Sequence, residues 1–207
     1  ATEQVIAVDS MEKDVSSGAD PRPYALAHPE LRDLPMFGEF RGMDNPELIA
    51  ALDPQPEVIF KTFASMGHDP DELQKKTGIP VIVLQYGNLT GYRHQLDQSL
   101  KIMGRVLGKT KRAEEIIQFF DNQVADLARR TADVPQSAKP DCYVGGISYK
   151  GPHGFRSTEP DFPPFEFTRA RHPANSARPT AGPVSHAQVA REQILAWNPE
   201  ILFLDLA

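Results

Sequence analysis

The sequence predicts an α/β protein in which two similar lobes, each with a parallel sheet, are joined by one long helix. Short apolar runs alternate with helix signals, as at residues 58–63 and 81–84, and this alternation is typical of parallel sheets with crossover helices. Apolar residues then repeat at helical spacing from about residue 110 to 132. A helix of that length spans roughly 35 Å, the width of a small lobe.

Local signals in the first half of the chain predict where its elements begin and end. Asn45 is typical of a helix N-cap, with Pro46 at the first helical position and Glu47 in the first turn. Asp69 opens another helix, which Gly78 ends. The apolar run at 81–84 indicates a strand buried on both faces. The remaining predictions are strands at 5–9, 35–38 and 58–63, and a short helix at 24–31.

Beyond the long helix the strand pattern returns. Residues 134–140 form a proline-bounded linker, and residues 148–185 are polar and proline-rich with little periodicity. The predicted elements here are strands at 142–147 and 201–204 and a helix at about 185–197.

An internal repeat divides the chain. Glu47 and Glu192 each start an apolar helix that is followed by a Pro-Glu pair and a strand, at 56–60 and 199–203. The repeat predicts an N-terminal lobe at 1–108, a spanning helix at 109–133 and a partial C-terminal lobe at 139–207.

Composition narrows the class of protein. Of 207 residues 40% are hydrophobic and 24% charged, as in an ordinary folded domain, and no apolar run is long enough to cross a membrane. The net charge of −6 argues against a nucleic-acid partner. Cys142 is the single cysteine, so an intrachain disulfide and a cysteine metal cluster are excluded.

Candidate ligand contacts follow the predicted strands, because parallel sheets bind ligands beyond the carboxyl ends of their strands. In the first lobe Phe40 offers a ring to a planar chelate, and Arg41 and Tyr86 lie just past strand ends. In the second lobe the segment 146–160 combines cations, hydroxyls, an aromatic ring and glycines, which suits an anionic or chelate-type ligand. Its candidates are Tyr149, Lys150, His153 and Arg156.

Signatures of catalysis are missing from the sequence. The six histidines include no pair at the spacing of a helical zinc site, and no nucleophile elbow or phosphate-binding loop is present. We therefore expect neither a catalytic residue nor a resident metal or cofactor.

Three stretches resemble the substrate-binding proteins of ABC importers for iron–siderophore, haem and cobalamin complexes. These are residues 42–52, the long helix ending near Thr131, and residues 189–199, the last being similar to the cobalamin-binding member. The resemblance implies two Rossmann-like lobes joined by a rigid helix, with a metal complex bound between them. It also implies that Glu47 and Glu192 dock onto arginines of an ABC permease, and that contact with the membrane is only through that permease or a lipid anchor.

The family's second lobe continues beyond the strand at 201–204, so we expect this chain to be a fragment with a truncated second lobe. We expect a periplasmic or membrane-anchored extracytoplasmic location, with the leader removed. Two alternatives stay open at this point. One is a binder of molybdate- or tungstate-type oxyanions with the same fold, and the other is a cytoplasmic α/β enzyme that handles a metal cofactor.

Overall fold

The computed structural model describes residues 2–13, 22–40, 43–62, 64–148, 153–177 and 186–205. The chain divides into two compact units, Ala1–Gln85 and Tyr86–Ala207, which are called unit 1 and unit 2 below. Among the described residues, no helix is both long and apolar enough to cross a membrane.

Eight α-helices and nine strands occur in the described residues, with four short 3₁₀ helices between them. The helices are α1 (Ser10–Lys13), α2 (Pro23–Ala27), α3 (Pro46–Ala50), α4 (Pro70–Thr77), α5 (Arg93–Val106), α6 (Thr110–Arg130), α7 (Pro163–Thr168) and α8 (Arg191–Trp197). The strands are β1 (Val8–Asp9), β2 (Met36–Glu39), β3 (Met43–Asp44), β4 (Ile59–Lys61), β5 (Val81–Val83), β6 (Cys142–Gly145), β7 (Ser157–Thr158), β8 (Ala187–Gln188) and β9 (Ile201–Leu204).

Unit 1 contains two small sheets. In the first, β1 runs parallel to β2, which pairs antiparallel with β3; in the second, β4 runs parallel to β5. Helices α3 and α4 pack against these strands through a cluster of buried aliphatic side chains. The cluster consists of Ile49, Ile59, Leu73 and Ile79, with Phe37 and Val81 at its margin.

The helix boundaries in unit 1 confirm the capping signals. The Asn45 side chain accepts hydrogen bonds from the backbone N–H groups of Glu47 and Leu48 at the start of α3. Asp69 caps α4 in the same way, and Gly78 ends that helix at a φ of 72°, a left-handed conformation that glycine adopts without strain.

Unit 2 begins with a helical hairpin. Helix α6 starts at Thr110 and ends at Arg130, close to the predicted 110–132. Arg93 on α5 holds the pair together, because its guanidinium group contacts Asp97 at 2.7 Å, Asp121 at 2.8 Å and the Ile117 carbonyl at 3.2 Å. The hairpin belongs to unit 2, which begins at Tyr86, whereas the predicted first lobe runs to residue 108. The division into two lobes and a spanning helix stays a prediction.

The rest of unit 2 is built on a parallel pair, β6 and β9, and an antiparallel pair, β7 and β8. All four residues of β6 are buried. Two buried clusters flank this strand: Cys142, Val144, Ile147 and Phe165 form one, and Tyr143, Ala174, Val189 and Ile194 form the other.

Several strand and helix predictions differ from the structure. The predicted strand at 5–9 is reduced to β1, and the helix at 24–31 is interrupted at His28, since Pro29 disfavours a helical conformation in the residue before it. Strand β5 is not buried on both faces: Val83 is 41% exposed. The helix predicted at 185–197 begins only at Arg191. All four residues of β9 are exposed, because in the described part of the chain only β6 pairs with it.

Candidate ligand and docking sites

The internal repeat is visible in the structure as the same succession of elements in each unit. An antiparallel pair is followed by a short helix and then by a strand: β2, β3, α3 and β4 in unit 1, and β7, β8, α8 and β9 in unit 2. In unit 2, helix α7 and a 3₁₀ helix lie between the two paired strands. Glu47 and Glu192 occupy the same position, the second residue of the helix, and both are exposed. An anion in the first turn of a helix is favoured by the helix dipole.

In unit 1 a buried ion pair lies directly before helix α3. The Lys61 ammonium group, on β4, donates a hydrogen bond to the carboxylate of Asp44, on β3; their side chains are only 1% and 3% exposed. The same ammonium group donates to the Met66 carbonyl at 2.9 Å. Lys61 therefore connects β4, the residue before the N-cap Asn45 and the loop that leads to α4.

A groove of about 440 Å³ lies beside α3. Three exposed apolar side chains, Met36, Met43 and Leu48, line it together with Glu39 and His68. Gly38, Asp44, Asn45 and Gly67 complete its lining. Its lining is therefore largely apolar, with Glu39 as an exposed carboxylate.

The carboxyl ends of β1 and β2 meet in unit 1, since the two strands are parallel, and a polar network lies there. The Arg22 guanidinium group donates to the Glu12 carboxylate at 2.8 Å and to the Tyr24 hydroxyl at 3.0 Å. The Tyr24 hydroxyl donates to the same Glu12 oxygen at 2.5 Å. Desolvation raises the pKa of Tyr24 above its usual range, so the phenol stays protonated and keeps this bond.

This network was not found from the sequence, because Glu12 and Arg22 are 10 residues apart. Phe40, which the sequence does indicate, follows β2; its backbone N–H donates to the Ser10 hydroxyl at 2.9 Å, and its ring is exposed. Arg41 lies outside the described residues.

Tyr86 is the first residue of unit 2, and its side chain is 61% exposed. Phe40 and Tyr86 thus belong to different units. Tyr149 and Lys150 lie outside the described residues.

The two remaining candidates, His153 and Arg156, lie together in unit 2. They line a groove of about 510 Å³ with Arg191 and Leu195 of α8. Gly154, Phe155, Gln188 and Ile194 complete its lining. Arg191 was not among the sequence candidates; its place beside Arg156 depends on the pairing of β7 with β8, which the sequence between them does not reveal.

Backbone contacts hold the groove residues in place. The Arg156 Nε donates to the Val189 carbonyl at 3.0 Å, and the Tyr143 hydroxyl donates to the Phe155 carbonyl at 3.0 Å. Gly145 is required at the end of β6, because a Cβ atom there would meet the Phe155 carbonyl oxygen at 2.5 Å. In the described part of the chain no carboxylate forms an ion pair with Arg156 or Arg191, and both residues are exposed.

An acidic group lies near the carboxyl ends of β6 and β9. Burial, and after it the charges of Asp161 and Asp205, raise the pKa of Glu159 to about 7. The Glu159 carbonyl faces the His172 Nε2 at 3.2 Å, and the Cys142 carbonyl faces the His172 Nδ1 at 2.9 Å. Across the described residues, no group of three or more histidine, cysteine, aspartate or glutamate side chains is arranged to hold a metal ion.

Comparison of the sequence with models of known protein families finds no match, and comparison with curated proteins finds none. Solved structures do match. The TroA-like periplasmic binding protein FepB from Veillonella parvula shares 22% identity at a TM-score of 0.62, over 96% of this chain and 56% of that one. The molybdate periplasmic binding protein MolA from Haemophilus influenzae shares 22% identity at a TM-score of 0.57, over 87% of this chain and 57% of that one.

The periplasmic vitamin B12 binding protein BtuF of Vibrio cholerae shares 18% identity at a TM-score of 0.54, over 97% of this chain and 68% of that one. The chain thus spans little more than half the length of the first two structures. These similarities confirm the predicted α/β fold, which the chain shares with these periplasmic binding proteins.

Proposed function

We propose that this protein is an extracytoplasmic solute-binding protein that captures an iron or other metal complex, such as a siderophore, haem or corrinoid, and delivers it to an ABC permease. The observation that carries the proposal is the repeated docking segment. Glu47 and Glu192 stand at the same exposed position of equivalent helices, in a fold shared with the periplasmic vitamin B12 binding protein BtuF.

Capture uses the residues at the carboxyl ends of the parallel strands. Phe40 and Tyr86 offer exposed rings to a planar ligand, and Arg156, His153 and Arg191 offer donors to its anionic groups. Arg41, Tyr149 and Lys150 belong to the same proposed ligand-contacting set. The ligand is bound and released unchanged, so the protein supplies no catalytic residue.

The same guanidinium groups favour a second candidate ligand. Arg156 and Arg191 line one groove, which suits a bare oxyanion, and the similar structure MolA is a molybdate-binding protein. Molybdate or tungstate is therefore the alternative ligand in the same transport role.

Delivery uses Glu47 and Glu192 as anions that pair with arginines of the permease. A carboxylate and a guanidinium group form a two-point hydrogen-bonded pair, which gives direction as well as attraction. The glutamates lie outside the grooves, so removing them is expected to leave ligand capture intact.

The docking claim is tested by ligand-stimulated ATP hydrolysis of the permease, reconstituted with the full-length protein. We expect Glu47→Ala and Glu192→Ala each to weaken stimulation at least tenfold, and the double variant to abolish it. Glu57→Ala is the matched control, because Glu57 is an exposed acid of the same repeat at the opposite end of β4. If the double variant stimulates ATP hydrolysis as strongly as Glu57→Ala does, the docking role is wrong. If the double variant loses ligand binding, the proposal that the glutamates serve docking and not capture is wrong.

A further inference from the structure

The end of the helical hairpin at which α5 meets α6 carries a concentrated positive charge. This segment, residues 101–112, is called the hairpin tip below. It contains five basic residues and no acidic one, in a chain whose net charge is −6. All five basic side chains are exposed: Lys101, Arg105, Lys109, Lys111 and Arg112.

Acidic side chains compensate little of the charge at the hairpin tip. Arg112 contacts Glu115 at 3.3 Å, and both of these side chains are exposed. Among the described residues, no carboxylate forms an ion pair with the other four basic side chains of the tip. The opposite end of α6 differs, because Asp126 there pairs with both Arg129 and Arg130. Positive charge is thus neutralised at one end of α6 and largely uncompensated at the other.

Close packing of the two helices holds the hairpin tip together. Gly104 of α5 and Ala113 of α6 are both buried, and a Cβ atom at Gly104 would lie only 2.7 Å from the Ala113 Cβ. The Lys109 N–H donates to the Gly104 carbonyl at 2.6 Å and so closes the turn. The basic side chains of the tip are therefore carried by a closely packed turn.

Helix stability explains only part of this charge. Arg105 lies in the last turn of α5, where the helix dipole favours a cation. Lys111 and Arg112 lie in the first turn of α6, where the dipole favours an anion, and that turn contains no acid. These two cations lower the stability of the helix that carries them, which indicates that they serve a contact outside it.

An exposed apolar side chain lies among the cations of the hairpin tip. Val106, which directly follows Arg105, is 42% exposed. Apolar groups beside several cations are typical of surfaces that lie on anionic membranes, because the cations attract headgroup phosphates while the apolar group enters the interfacial layer. A nucleic acid offers phosphates without such a layer, and the net negative charge of the whole chain opposes a long polyanion.

We propose that the hairpin tip binds the surface of a membrane that contains anionic lipids. This contact goes beyond the proposed function, and it adds to the membrane contacts through a permease or a lipid anchor that the family resemblance implies. Its ligand is an array of headgroup phosphates and not a single soluble phosphate. Binding of this kind keeps the protein in the layer where a permease lies, so that the two meet by diffusion along the membrane.

Sedimentation with lipid vesicles tests the proposal on the purified full-length protein, prepared without a lipid anchor. We expect binding to phosphatidylcholine vesicles that contain about one third phosphatidylglycerol, and no binding to phosphatidylcholine alone. High salt is expected to abolish the binding, because salt screens the charges.

Neutralising two cations of the hairpin tip measures their contribution. Each lysine or arginine near an anionic membrane strengthens binding about fivefold, so Lys101→Gln combined with Lys109→Gln is expected to weaken it at least about tenfold. The matched control is Lys75→Gln combined with Arg129→Gln, which removes the same charge at exposed positions of α4 and of the far end of α6. The control is expected to bind within about threefold of the wild type.

Lys111→Glu separates membrane binding from a role in the fold. It changes the net charge by as much as the control does, and it puts an acid in the first turn of α6, where the helix dipole favours one. We expect its melting temperature to equal or exceed that of the wild type while vesicle binding falls at least about tenfold. A lower melting temperature would assign Lys111 to the fold and contradict the proposal.

Other results would also overturn the proposal. Hairpin variants that bind as well as the control, or equal binding to phosphatidylcholine alone, would show that the charge of the tip is not recognised. Displacement by soluble glycerol phosphate, at the concentration of the lipid phosphate, would show that a single phosphate suffices. Tighter binding to a DNA duplex than to the vesicles, at equal phosphate concentration, would assign the hairpin tip to a nucleic acid.

Discussion

The two units hold helices α3 and α8 by different physical means. In unit 1, α3 is capped by Asn45 and preceded by the buried Lys61–Asp44 ion pair. In unit 2, Ala190 gives α8 no side-chain cap, and the helix is held by Ile194 and Trp197 packed against Tyr143. One arrangement of backbone elements is thus kept by polar contacts in one unit and by apolar and aromatic packing in the other.

The two units also differ in their carboxyl groups that are shielded from solvent. Asp44 is compensated by an ammonium group, whereas Glu159 lies near two further acids, Asp161 and Asp205. In unit 1 the buried Asp44 carboxylate therefore depends on its ion pair with Lys61. In unit 2 the raised pKa of Glu159 means that its carboxyl group resists ionisation. Substitutions at Lys61 and at Glu159 therefore distinguish a compensated carboxylate from one that lies near further acids.

The largest effect is expected at the ion pair. Lys61→Met leaves the Asp44 carboxylate buried without its partner, and we expect the free energy of unfolding of unit 1 to fall by about 3–5 kcal/mol. Lys61→Met combined with Asp44→Leu removes both charges and is expected to regain most of that loss. Denaturant titration of the single and double variants checks this; a double variant no more stable than the single one would contradict the ion-pair account.

A smaller effect is expected at the helix caps. Asn45→Ala removes the acceptor for two N–H groups and is expected to cost about 1 kcal/mol. Ala190 is exposed with an extended backbone, φ −69° and ψ 146°, so Ala190→Ser is expected to add about 0.5–1 kcal/mol. Thermal unfolding measures both; if Asn45→Ala is neutral, the cap does not distinguish the two helices.

The smallest effect is expected at Glu159 and depends on pH. Its pKa is raised from 4.5 to about 7, so folding favours the protonated form, and the associated stability is present below pH 4.5 and lost as the pH rises through 7. Glu159→Gln, which stays neutral, is expected to melt higher than the wild type at pH 8, with a gap that closes towards pH 4.5. Melting curves across this pH range check the direction of the effect. A difference in melting temperature that does not change with pH would refute it.

The elements that the sequence predicts well are those specified by nearby residues. The caps of α3 and α4 involve neighbours two or three positions away, and the length of α6 follows from its own periodicity. The equivalence of Glu47 and Glu192 was also readable, because each lies in a recognisable helix–strand unit.

What the sequence did not reveal depends on distant partners. Lys61 and Asp44 are 17 residues apart, and neither neighbourhood shows that both are buried. Arg191 reaches the groove of Arg156 only because β7 pairs with β8. The exposure of β9 likewise reflects which strands adjoin it, which an apolar run of four residues does not specify.

The claim that the protein captures a metal complex is tested most directly by calorimetric titration of the full-length protein with a panel of ligands. The panel contains ferric siderophores, haem, a corrinoid, and molybdate and tungstate, and the Trp197 fluorescence is followed in parallel. We predict saturable binding of one metal-complex class with one ligand per protein, weakened by Arg156→Ala. Binding of only the oxyanions would support the alternative ligand, and no binding to any of them would contradict the account.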